Sequence, residues 1–93
     1  MIIIRYITTN AETRIPKETQ IIMWFMFDRM KIEKDYLQIF SLSIKDNKQH
    51  ILHSQEQPPW SEEILFNSNT PVKEKVYIIK EGDYETMMLA EDY

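Results

Sequence analysis

The sequence predicts an α+β domain in which one amphipathic helix packs on a mostly antiparallel sheet, in the order β-α-β-β-(β)-β-β. Three observations carry this. Seven consecutive apolar residues, 21–27, continue at helical spacing into "DRMKIEK". The stretches around "QIFSLSIK" and "EKVYIIK" have strand character, and turn-forming residues at Asp46, Asn47 and Gly82 separate neighbouring strand candidates by the short distance a hairpin needs.

The first strand is expected over residues 2–8, where "IIIRYIT" is rich in β-branched side chains, and "NAETR" breaks it with polar, turn-prone residues. Pro16 suits a first helical position and Glu18 puts negative charge in the first turn, so a helix is expected over residues 16–34. At 100° per residue, Ile22, Met23, Met26, Phe27 and Met30 fall in a sector about 140° wide, a normal core stripe. On the far side Ile21, Trp24, Phe25 and Ile32 form a second apolar sector that a single sheet would leave uncovered.

After Asp35 the period changes to two: Tyr36, Gln38, Phe40, Leu42 and Ile44 share one side, opposed by Leu37, Ile39, Ser41, Ser43 and Lys45. A tight turn at Asp46-Asn47 should return the chain through "QHILHSQ", and "EQPPWS" should end the pairing because Pro58 and Pro59 cannot donate ladder hydrogen bonds. "EEILFNS" is a weaker strand candidate. "EKVYIIK" is a strong one, and Gly82, free to take positive φ, leads to a last strand in "ETMMLAED".

Ninety-three residues make a single compact domain, 1–93, with 43% hydrophobic and 28% charged residues and one glycine. The absence of cysteine removes disulfides, thiolate nucleophiles and thiolate metal sites and points to a reducing, cytoplasmic location. The opening "MIIIRYITT" has no basic lead or small-residue cleavage site, so no secretory signal is expected, and no stretch approaches the ~18 apolar residues a bilayer span needs. A net charge of −4 argues against direct nucleic-acid binding, and membrane binding is not expected.

No constellation announces catalysis. His50 and His53 are three residues apart, which in a strand sends them to opposite faces as two partly exposed side chains and disfavours a shared metal. None of Ser41, Ser43, Ser54, Ser61 and Ser68 lies in a Gly-x-Ser-x-Gly elbow, and one glycine cannot build a phosphate cradle. The chain is therefore expected to be non-enzymatic, with no catalytic residue, no metal and no cofactor.

Taken together, "RYITT", "IPKETQIIMWFMFD", "DYLQIFSL", "QHILHSQEQP" and "EGDYETMMLAEDY" resemble the bacterial family catalogued as domain of unknown function 960, found in staphylococci and streptococci. The resemblance covers nearly the whole chain, with a shorter "NAETR" loop than the family pattern and no glycine in it. It implies no activity and no catalytic residues. The occurrence of similar proteins on mobile elements, among them a staphylococcal cassette with its own recombinases, implies an accessory role around DNA maintenance or host defence.

Two functions follow as expectations. The first is a protein–protein interaction module, binding a protein partner or forming a homodimer through Ile21, Trp24, Phe25 and Ile32. The loop "EQPPWSEEILF", a second copy or a partner could cover those residues. The second is an acidic inhibitor or nucleic-acid mimic that presents Glu81, Asp83, Glu85, Glu91 and Asp92 to a DNA-processing or defence enzyme of the host.

Overall fold

The structure, a computed structural model, describes residues 2–93. Strand β1 (Ile4–Ile7) is followed by helices α1 (Thr9–Arg14) and α2 (Lys17–Asp28). Strands β2 (Leu37–Lys45), β3 (Lys48–Gln55), β4 (Trp60–Phe66), β5 (Glu74–Glu81) and β6 (Tyr84–Leu89) follow, then a 3-10 turn (Ala90–Asp92). All six strands form one sheet in the order β1-β6-β5-β2-β3-β4. Every neighbouring pair is antiparallel except β1, which runs parallel to β6 with Ile4 opposite Tyr84 and Ile7 opposite Met87. This is an α+β arrangement with one main helix on a mostly antiparallel sheet.

The helical region departs from expectation at both ends. "NAETR" is not a break but the short helix α1, capped by the Thr8 Oγ1, which accepts from the Ala11 N–H at 3.3 Å. Pro16 caps α2 rather than beginning it, and α2 stops at Asp28, six residues before the expected end. The reason lies in β3. The Gln55 amide donates to the Glu33 carbonyl at 3.0 Å and its Oε1 accepts from the Asp35 N–H at 3.0 Å. These tertiary bonds replace the helical ones that "MKIEK" would otherwise make.

The β2–β3 hairpin turns at Asp46 (φ 52°) and Asn47 (φ 64°), both left-handed, as a two-residue type I′ turn requires. Gly82 (φ 58°) serves the turn between β5 and β6. Pro58 and Pro59 do not end the pairing. They sit in a four-residue turn containing a cis Gln57–Pro58 bond, and pairing resumes with Trp60 opposite Gln55. The weak candidate "EEILFNS" is thus the C-terminal part of a full edge strand.

Strand register divides the side chains cleanly. Phe40, Ile51, Val76, Ile78, Met87 and Leu89 point to one face and enclose a core with Ala11, Ile15, Met23, Met26 and Phe27. Met30 remains in that core although it lies beyond α2, and Ile22 is only half-buried. Both helices therefore lie on one face of the sheet. No helix among the described residues is long and apolar enough to cross a membrane.

Candidate interaction surface

The outer helix sector splits in two. Ile21 (59%) and Phe25 (60%) are exposed, whereas Trp24 and Ile32 are half-buried and pack against the core. Trp24 meets the Phe27 ring edge-on at 6.2 Å and is roofed by the Arg5 guanidinium, 4.4 Å from its centroid. Ile32 lies outside the helix altogether, so the wheel that grouped it with the others does not apply. The loop carrying Trp60 does not cover this sector. Trp60 belongs to β4 and packs edge-on against His53, 4.8 Å away, on the helix side of the sheet.

Arg5 is the centre of an ion-pair node. Its Nε donates to Glu85 Oε1 at 2.9 Å and its terminal nitrogens donate to both carboxylate oxygens of Asp28. Hydrogen bonding to Asp28, and then to Glu85, raises its pKa. Beside it lies a groove of about 230 Å³ lined by Arg5, Tyr6, Ile7, Gln20, Ile21 and Trp24, with Glu12 and Lys17.

This node corrects the expected acidic surface. Glu85 is 3% exposed and held by Arg5 and by Lys80 at 3.6 Å, because its parity in β6 turns it toward the helices. Glu91 is paired with Arg14 at 2.9 Å. Asp92 accepts from Asn10 and Thr8 and its carboxyl lies below the usual range, chiefly through the Asn10 bond. Only Glu81 and Asp83 remain exposed without an ion-pair partner among the described residues.

His50 and His53 point to opposite faces, but neither is partly exposed in the way expected: they are 8% and 0% accessible. His53 stacks on Phe40 with centroids 4.1 Å apart, and burial, reinforced by Arg29, lowers its pKa to about 4. Its tautomer follows from its neighbours. The Gln38 amide nitrogen donates to Asp35 O and Gln55 Oε1, so Gln38 Oε1 must accept from the His53 Nε2–H, 2.7 Å away.

On the other face His50 bridges Ser43 Oγ (Nδ1, 3.1 Å) and Glu63 Oε2 (Nε2, 2.8 Å), and its hydrogen bond holds the Glu63 carboxyl below the usual range. A serine, an imidazole and a carboxylate in line form the relay that activates a hydroxyl nucleophile. Acyl transfer also needs free N–H groups converging on an oxyanion. A regular ladder with Ser43 directly opposite His50 commits the main chain to strand pairing instead. Among the described residues no group of three or more His, Asp or Glu side chains could hold a metal ion.

The surface that sequence reasoning missed is the second face of the sheet. No helix among the described residues packs on it, and it carries Ile4 (45%), Tyr6 (50%), Tyr84 (51%), Leu52 (37%) and Leu65 (46%), although Ile79 on the same face is buried. Leu37, Ile39, Tyr77 and Met88, half-buried, share this face. It runs across all six strands, from the tilted Tyr6–Tyr84 pair at 5.8 Å to Leu65 on β4. Tyr93 adds an edge-on contact to Tyr77 at 5.7 Å. The signal was present in the sequence. The run "VYII" in β5 is apolar at both parities, which is the pattern of a strand covered on both sides.

Comparison with known proteins returns the same picture without an activity. A crystal structure of a protein of unknown function from Enterococcus faecalis superposes with a TM-score of 0.83 at 20% identity, covering 97% of this chain and 90% of that one, and so shares the fold. No curated protein matches. The model of the family described as "Staphylococcal protein of unknown function (DUF960)" matches residues 4–92, and the chain belongs to that family.

Proposed function

We propose that this chain is a non-enzymatic protein–protein interaction module and that its contact surface is the open face of the sheet. One observation carries the reading: the sheet face that no helix covers among the described residues bears exposed apolar and tyrosine side chains on β1 and β6, half-buried ones on β5 and β2, and Leu52 and Leu65 beyond them. Tyrosines such as Tyr6, Tyr77 and Tyr84 beside aliphatic side chains are residue types enriched in interface cores.

The reading as an acidic mimic has less support, since Glu85, Glu91 and Asp92 are engaged within the chain. Site-specific photo-cross-linking tests the proposal. A photoreactive side chain at Tyr6 or Tyr84 should capture protein in a native cell extract, and one at Phe25 on the outer side of α2 should not. Capture from Phe25 alone would sink the reading.

A further inference from the structure

We propose that the partner of this face is the same face of a second copy of the chain, with β5 of one protomer lying antiparallel over β5 of the other. The inference rests on reading the open face as a contact surface and names what occupies it. Two observations support a second copy over an unrelated partner.

The first is charge. Along β5 the open face carries exposed Lys75, half-buried Tyr77, buried Ile79 and exposed Glu81 in that order, a cation and an anion at either end of two apolar residues. A second β5 laid over it in the opposite direction brings each Lys75 opposite a Glu81 and each Glu81 opposite a Lys75. The same patch then complements itself, as a twofold axis demands, whereas a codirectional overlay would set like charges together. Lys75 and Glu81 are both exposed, and neither has an ion-pair partner among the described residues. Aligned sheets cross at about 30°, which displaces residues about 10 Å from the axis by roughly 5 Å, within the reach of a lysine side chain.

The second is area. At about 200 Å² for a fully exposed large side chain, Ile4, Tyr6, Tyr84 and Tyr93 leave on the order of 400 Å² of surface. A patch of that size on a monomer is often functional. The half-buried Leu37, Ile39, Tyr77 and Met88 and the exposed Lys75 and Glu81 bring it toward the ~800 Å² per partner of a standard interface.

The product is a sandwich of two sheets with the helices on the outside.

Sedimentation equilibrium of the purified chain tests this. The wild type is expected to be a dimer, and Lys75→Glu, which sets glutamate against glutamate at both ends, should raise the dissociation constant about tenfold or more. Lys75→Glu combined with Glu81→Lys should restore it, a rescue that loss of folding could not mimic. A wild type that stays monomeric, a dimer indifferent to Lys75→Glu, or a double variant no tighter than the single one overturns the inference. If the chain alone is monomeric but cross-links from Tyr6 and Tyr84 capture a different protein, the second copy is wrong and the interaction module stands. If those positions capture nothing, the broader reading falls with it.

Discussion

Arg5 on β1 donates to Glu85 on β6 at 2.9 Å, joining an early strand to the last one at a point where Glu85 is only 3% exposed. The same guanidinium holds Asp28 at the end of α2 and covers Trp24, so one side chain fastens the helix to the edge of the sheet.

Arg5→Ala should therefore cost about 2 kcal/mol in urea unfolding, below the 3–5 kcal/mol of a fully buried pair because Lys80 remains near Glu85. Arg5→Ala with Glu85→Gln should cost less than the two changes summed, since the double variant leaves no buried charge unpaired. Additive losses would show that the two residues act independently.

His53 gives stability a pH dependence of known sign. Its pKa is about 4 in the folded chain against 6.5 in the unfolded one, so between those values only the unfolded chain takes up the proton. The stabilisation is complete above the unfolded pKa and is lost as pH falls toward 4, amounting to about 3 kcal/mol between pH 7 and pH 4. Denaturant titrations across that range should show a shallower decline for His53→Gln than for the wild type.

Gln55→Leu should be among the most damaging single changes. It strands the Glu33 and Pro58 carbonyls, the Asp35 N–H and one of the two N–H groups of the Gln38 amide, and a loss of about 3 kcal/mol is expected from the desolvated groups left behind. Amide exchange should accelerate first in residues 30–36, the segment this glutamine holds.

The two halves of the outer helix sector should respond differently. Ile21→Ser and Phe25→Ser change exposed positions and should each move stability by no more than about 0.5 kcal/mol. Trp24→Ala removes a ring packed under Arg5 and against Phe27 and should cost about 2–3 kcal/mol. Thermal unfolding of the three variants in parallel checks the contrast.

These contrasts mark what periodicity can and cannot reveal. The core stripe of α2, the parity of β2, the Asp46-Asn47 turn and the succession of strands along the chain were legible because each is a local pattern of apolar side chains or of allowed φ. The end of α2 was not, because it is set by Gln55, a residue distant in sequence. Nor could the sequence show that Gln20, Gln38, Gln49 and Gln55 are buried, since a glutamine that ties down backbone looks like any surface glutamine. Gln49 is the clearest case: it donates to the Val72 carbonyl and accepts from the Val72 N–H, standing in for a strand partner. The acidic cluster misled for a related reason, as parity within β6 sends Glu85 inward while charge counting keeps it outside. The open sheet face was readable in principle from "VYII", but the conspicuous run in α2 offered a competing source of surplus apolar surface.

The parallel pairing of β1 with β6 has a consequence for how the chain reaches this state. Of the other five strands β6 is the furthest from β1 in sequence, yet β1 docks on it, and the Arg5–Glu85 bond spans 80 positions. Until β6 emerges, β1 has no neighbour, and the bare isoleucines ahead of it meet water or a chaperone. The β2–β3 and β3–β4 hairpins can form early from short-range contacts, so assembly is expected to proceed from these hairpins outward, with β1 the last strand to pair.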